Sequence, residues 1–400
     1  MKRSKSVVAI VVTLFLLSSG TSYAAPKKIT LQTGSVLPAP ISAESFLQSG
    51  KNAVFLSNTV NQTLDISLQA IDITGSISWE RTIDSGNNEV ATTFTLDTLG
   101  NFWIGGNSAP ILMVESSTVI LGADNPDGVS LEDISEIRAD LNQLTIWNVS
   151  PTGELLATYI YPMVKVPTIS AISATTSGIS IVGSLDSKPF LMNMSNTGTF
   201  SKVVNVGTSK TTINSVVRQS DGSSFLFGSS AETLGGKKVA GKRDGILIKL
   251  SKSGAITTVV RSSANGAVRS WNSATPSNLL SGQVIAGKTS EVAITKFSNN
   301  FAPSWTARFP GTGSSIVVTN GANSYLAFTT RSAIPGINLW KPTTPSLLVL
   351  TFDGKGVIKA AHAFPGLVTP INLQFSRERG VVGLASSSDG TISIFTLVSR

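Results

Sequence analysis

The chain of 400 residues contains no cysteine and a single histidine, His362. Without cysteine there is no disulfide, no zinc–thiolate site, no cysteine nucleophile and no lipobox to acylate. One histidine, placed on an expected outermost strand where it should be half-exposed, supports neither a Ser-His-Asp triad nor a multi-histidine metal site. Charge is scarce too, since Asp, Glu, Lys and Arg together make up only 14% of the chain. The formal net charge is +8, and Lys2, Arg3 and Lys5 account for three of those cations, leaving about +5 on the remainder. The remaining basic residues are scattered and not interleaved with aromatics, so no nucleic-acid partner is expected.

Long apolar runs are also missing after the N-terminus. Residues 7–17 form an apolar stretch of about 11 residues behind the cationic start, short of the roughly 20 that a spanning helix needs. With Ser22 and Ala24 at the small-residue positions, residues 1–24 read as a secretory signal peptide cleaved after Ala24. The expectation is a soluble, exported, monomeric product, with residues 25–400 as one domain and stability drawn from packing alone.

What is abundant is glycine, at 35 residues, together with Ser, Thr, Val and Ile, a β-rich composition. Residues 244–260 contain an apolar strand, a polar turn ending in Gly254 and a second strand, which is a β-hairpin pattern. Related hairpins recur at residues 65–79, 141–155, 190–203, 292–305 and 347–358, and a lone strand at 391–398 ends the series. Starts fall roughly 45–55 residues apart, a period of propeller blades rather than helical solenoids. Each hairpin follows a Gly-closed strand such as Phe102-Trp103-Ile104-Gly105-Gly106 or Phe225-Leu226-Phe227-Gly228, and before it an inner-strand candidate, giving four strands per unit. Third strands such as Leu347-Leu348-Val349-Leu350 are apolar at successive positions, as expected where both faces of a sheet are covered.

Counting third strands leads to an all-β, seven-bladed β-propeller of four-stranded blades. Eight blades are the alternative, because the interval holding residues 107–140 is wide and residues 110–115 resemble another third strand. That interval is read as a long loop insertion with one helix at 130–141. The last unit lacks a fourth strand, so residues 28–33 are expected to pair with 391–398, closing the ring and hiding both edges. Three loops between second and third strands are long: residues 107–140, 229–243 and 329–345, in the second, fourth and sixth units. They should wall one rim and leave the other bare.

The unit running from Gly228 through Gly241-Lys242-Arg243-Asp244-Gly245 to Gly254-Ala255-Ile256 resembles the repeat of secreted bacterial seven-bladed β-propeller proteins. In that repeat a Gly-rich loop leads to an Asp, an apolar strand, a turn Gly and often a Trp, an ending echoed by Trp79 and Trp305. The resemblance implies fold and export and no particular activity. Residues 70–79 also look like the docking motif of quinoprotein blades, but the motif occurs once and is one residue short. A turn with a packing tryptophan accounts for it.

Candidate chemistry concentrates on the walled rim. Lys237, Lys238, Lys242 and Arg243 crowd one loop and could meet an anion or acidic glycan, or simply form a solvated tip. Arg331, Trp340 and Lys341 set an aromatic among cations; Trp340 either contacts a ligand or pins its own Pro-rich loop. Glu44, Glu89, Asn214 and Arg269 are placed at the channel mouth, where the two glutamates could form the carboxylate pair of a glycoside hydrolase. Asp124, Asn125, Asp127, Glu132 and Asp133 lack the EF-hand spacing and read as a polar turn and helix cap. No metal or cofactor is expected. The first reading is a secreted binding module for a glycan or protein, and the alternative is an extracellular polysaccharide hydrolase or lyase. A structural envelope component is the third.

Overall fold

The computed structural model describes residues 28–40, 43–110 and 139–397. Residues 1–24, residues 111–138 with most of the expected helix and its acidic turn, and the last three residues lie outside them. Residues 139 and 140 form a turn. Among the described residues there is no helix long and apolar enough to cross a membrane.

The architecture is a β-propeller. Blade 1 consists of Ser45–Ser49, Asn52–Val60, Leu64–Ile71 and Ile77–Ile83, paired antiparallel in that order. Blade 2 (Glu89–Leu96, Phe102–Ser108, Gln143–Val149, Leu155–Pro162) and blade 3 (Thr168–Thr175, Gly178–Leu185, Lys188–Met194, Val204–Asn205) follow. Blade 4 (Thr211–Arg218, Ser224–Ser230, Asp244–Leu250, Ile256–Ser262) and blade 5 (Val268–Ala274, Leu279–Ala286, Thr289–Phe297, Pro303–Pro310) repeat the plan. A six-stranded sheet comes next, built on Thr312–Thr319, Ser324–Thr330, Ser346–Phe352 and Ile358–Phe364, with Ile29–Thr33 and Ile337–Asn338 added outside. The closing blade has Leu367–Ser376, Gly380–Ser387 and Ile392–Thr396, with Ser35–Pro38 as its fourth strand. The innermost strands touch one another in this order, and Leu367–Ser376 returns to Ser45–Ser49.

This corrects the expectation of seven four-stranded blades, and with it the alternative of eight. Six blades are four-stranded, and the remaining sheet is six-stranded because the N-terminal strand and the short strand Ile337–Asn338 join it. Ring closure is corrected as well. Ile29–Thr33 does not meet the last strand; it runs parallel to Ile358–Phe364, with Gln32 opposite His362. Closure falls to the next segment, Ser35–Pro38, antiparallel to Ile392–Thr396 with Ser35 opposite Thr396. Between the two segments the chain changes sheet at Gly34, whose amide donates to Ala363 O at 3.0 Å. A Cβ there would stand 2.0 Å from the Phe364 ring and 2.8 Å from Thr396 O, so only glycine fits the passage. Covering by the N-terminal strand also explains why His362 is 4% exposed rather than half-exposed.

The core lies between sheets rather than within one. Phe102–Ser108 and Ser224–Ser230 are buried at every position, since each such strand meets a neighbour on both faces. Outer strands keep the alternation of a half-wet surface, as in Leu155–Pro162. Polar side chains stitch the seams. Asn214 Nδ2 donates to Trp271 O of the next blade at 2.8 Å. At the seam where the ring ends meet, Asn372 Nδ2 donates to Phe46 O at 3.0 Å and Arg379 Nη1 to Ile71 O at 3.0 Å. The tryptophans of the hairpin motif have a packing role. Trp79 of blade 1 covers the turn of blade 2, where a Cβ on Gly153 would lie 2.6 Å from its ring, and its Nε1 donates to Pro151 O at 3.1 Å. Trp305 covers Gly356 with the same 2.6 Å approach.

Candidate functional site

The loops between second and third strands and the connections from one blade to the next share one rim. Its basic sector belongs to blade 4. The loop of residues 231–243 is held from beneath by a buried pair, Asp244 and Arg261, at 3.2 Å. Asp244 also accepts from the amides of Ala240 at 3.0 Å and Gly241 at 2.9 Å. Arg261 Nε donates to Lys237 O at 3.1 Å, and its Nη2 donates to Glu232 O. Buried partners of this kind are costly to separate, about 3–5 kcal/mol when one is removed, so the loop has a fixed base. A bridge between Arg243 and Val268 ties its far end to blade 5, with Lys242 N donating to Ala267 O at 2.9 Å and Arg269 N to Arg243 O at 2.9 Å.

The result is a positively charged shelf. Lys237, Lys238 and Lys242 are exposed on it, and Arg243 is half-buried with Nη1 donating to Ser229 Oγ at 3.2 Å. Behind them Arg269 is only 7% exposed, its guanidinium 5.0 Å from the Trp271 ring centre. Its Nε has no hydrogen-bond partner. Burial, and then the neighbouring Arg308, pull its pKa down to about 10 against the opposing influence of Glu291. Glu291 is engaged instead with Arg308, at 3.7 Å. The structure thus joins Arg269 to the fourth-unit loop, a neighbourhood that the sequence pattern did not reveal. Asn214 serves the seam through Trp271.

The loop of residues 329–345 belongs to the six-stranded sheet. Trp340 is 5% exposed, packs in the apolar cluster with Ile334, Ile337 and Phe328, and donates Nε1 to Ser332 O at 3.0 Å. This is the loop-pinning arrangement, set against the N-terminal strand through Ile29 and Leu31. Its edge lines a surface cleft of about 530 Å³ with Thr30, Leu339 and Lys341. Leu339 is 79% exposed and left-handed in backbone, with φ of 67°. Arg331 is exposed and does not line that cleft.

The two channel-mouth glutamates part company. Glu44 accepts from Asn58 Nδ2 at 2.8 Å, and the same Nδ2 donates to Ala91 O at 2.9 Å across the seam between blades 1 and 2. Glu89 is 1% exposed and lies with Asp65 and Asp84, one carboxylate oxygen of each within 4.8 Å of the others. Burial pushes the Glu89 carboxyl upward, opposed by its bonds from Ser85. Asp65, Asp84 and Arg261 were not singled out in the sequence, and Asp244 was read there only as the Asp of the repeat motif. Asp65 and Asp244 share a legible signal, an aspartate at the start of a third strand, whereas Asp84 stands in an ordinary polar turn.

No family model matches the chain, and no curated protein sequence matches it. Solved structures do. The β-propeller domain of the Trilobed protease from Pyrococcus furiosus, described as having an open velcro topology, aligns with a TM-score of 0.50 at 9% identity, over 92% of this chain and 97% of that one. BBS1N in complex with ARL6DN aligns at 0.45 and 12% identity over 94% of each chain. One of two prolyl endopeptidases aligns at 0.49 and 14% identity, over 88% of this chain and 46% of that one. The sheet arrangement and the first of these likenesses make the chain a β-propeller. At such identities the likeness concerns fold alone.

Proposed function

We propose that the chain is an exported binding module that uses the basic shelf of blade 4 to hold an anionic extracellular ligand, an acidic glycan or an acidic protein surface. The propeller is suited to an interaction module, since loops distant in sequence meet on one rim. The observation that carries the reading is the shelf itself: three exposed lysines on a loop fixed by the buried Asp244–Arg261 pair and stitched to Ala267. A loop with a fixed base loses little freedom on binding, and clustered cations of one sign raise the local concentration of anions. Export rests on the N-terminal pattern, with cleavage after Ala24. Glu44 is bonded to Asn58 and Glu89 is enclosed, so neither adds support to the hydrolase alternative.

The test is equilibrium binding of dextran sulfate, polygalacturonate and polyglutamate to the secreted protein and to a Lys237→Gln, Lys238→Gln, Lys242→Gln variant. Wild-type protein should bind at least one polymer, with affinity falling as salt rises. The variant should bind about tenfold more weakly, a change of ~1.4 kcal/mol, at unchanged melting temperature because all three side chains are exposed. Equal binding by both proteins, or none by either, contradicts the proposal.

A further inference from the structure

The acidic group between blades 1 and 2 has features that a solvated cluster lacks. Asp65 and Glu89 are buried, at 2% and 1% exposure, and Asp84 is exposed beside them. Their carboxylates converge within 4.8 Å. Among the described residues none of the three forms an ion pair with a lysine or arginine. Asp65 is oriented by Thr63 Oγ1 at 2.7 Å and Asn61 Nδ2 at 3.0 Å. Glu89 Oε1 accepts from Ser85 N at 3.2 Å and from the Ser85 hydroxyl, while its Oε2 is buried with no hydrogen-bond partner. A buried carboxylate oxygen left without a donor is costly, and a cation held beside it would remove that cost.

We infer that Asp65, Asp84 and Glu89 form a site for a hard divalent cation of the calcium type. The donors are all oxygens, which suits calcium or magnesium and not the softer metals. Their irregular arrangement, two from fixed strands and one from a connecting turn, suits calcium, which accepts varied geometry and completes its shell with water. Glu89 supplies the oxygen that nothing else satisfies, and Asp84 supplies the mouth. The ligands come from both sides of a seam: Asp65 follows Leu64 at the start of the third strand of blade 1, and Glu89 opens the inner strand of blade 2. Asn88, between them, accepts from Leu64 N at 3.0 Å and donates to Asp140 at 3.2 Å. A bound cation would therefore fasten two blades on the same rim that carries the basic shelf, and it is independent of whether that shelf binds a ligand.

Titration calorimetry and thermal melts of the chelator-treated protein with CaCl₂, and with MgCl₂ for comparison, test this directly. One calcium should bind per chain and raise the melting temperature. Asp84→Asn alters an exposed residue and should keep the apo melting temperature while weakening calcium binding about tenfold, through loss of one ligand charge. Glu89→Gln should weaken it at least as much. Absence of calcium binding by wild-type protein, or binding that both variants leave unchanged, overturns the assignment. Magnesium bound as tightly as calcium overturns its calcium type.

Discussion

Trp340 can be read from its sequence neighbours in two ways, as a ligand contact or as the pin of its own loop. An aromatic flanked by cations reads as a ligand contact, yet the ring is buried among Ile334, Ile337 and Phe328 and its Nε1 is taken by Ser332 O. Truncating a buried tryptophan costs about 3–5 kcal/mol. Trp340→Ala should therefore lower the melting temperature clearly, while anionic-polymer binding per folded molecule stays as in wild type. A variant that melts normally but binds poorly would return Trp340 to the ligand surface. The contrast with Lys237, Lys238 and Lys242 is physical. Lysine stems tolerate exposure and their position in a Gly-rich loop was legible, whereas burial of one tryptophan depends on which strand arrives to cover it. Here that strand begins at Ile29, over three hundred residues away. Arg269 was placed at the channel mouth from its strand position, but its alliance with Arg243 comes from a bridge between two blades, which no local pattern encodes.

Elements were far more legible than their partners. Third strands at Ile246 and Leu347 announce themselves as unbroken apolar runs, because sheets stacked on both faces need no wet side. The turn glycines and following tryptophans were visible too, and the structure supplies their reason: Trp79 and Trp305 each rest on the turn glycine of the next sheet. What escaped was the division of the N-terminal stretch into two strands. The expected strand stopped at residue 33, and the crowding of Gly34 by Phe364 and Thr396 separates the parallel strand Ile29–Thr33 from the closing strand Ser35–Pro38. Gly34→Val should therefore pry the two apart, at a cost of about 1–3 kcal/mol from overpacking. Thermal melts and limited proteolysis read this out, with cleavage appearing first near residues 28–38. Wild-type melting and protease resistance in that variant would mean that the passage at Gly34 is not tight.

At the scale of the molecule, the propeller separates its packed seams from its rim loops. Seams between sheets carry the core and the latches, among them Arg379 to Ile71 and Asn372 to Phe46 where the ring ends meet. One rim then carries loops that are free to specialise, with the acidic group of blades 1 and 2 and the basic shelf of blades 4 and 5 on separate sectors. Repeat spacing disclosed the propeller, since each unit is a self-similar hairpin pair. It did not disclose the six-stranded sheet, because a strand recruited from the opposite end of the chain leaves no period in the sequence. The claim that the shelf is the working surface is tested most directly by hydrogen exchange of backbone amides with and without a bound acidic polymer. Protection should appear in residues 231–243 and 264–269 and be missing from the hairpin turns of the opposite rim, such as residues 150–153 and 353–356. Protection confined to those opposite turns, with the shelf exchanging as in the free protein, would contradict the account.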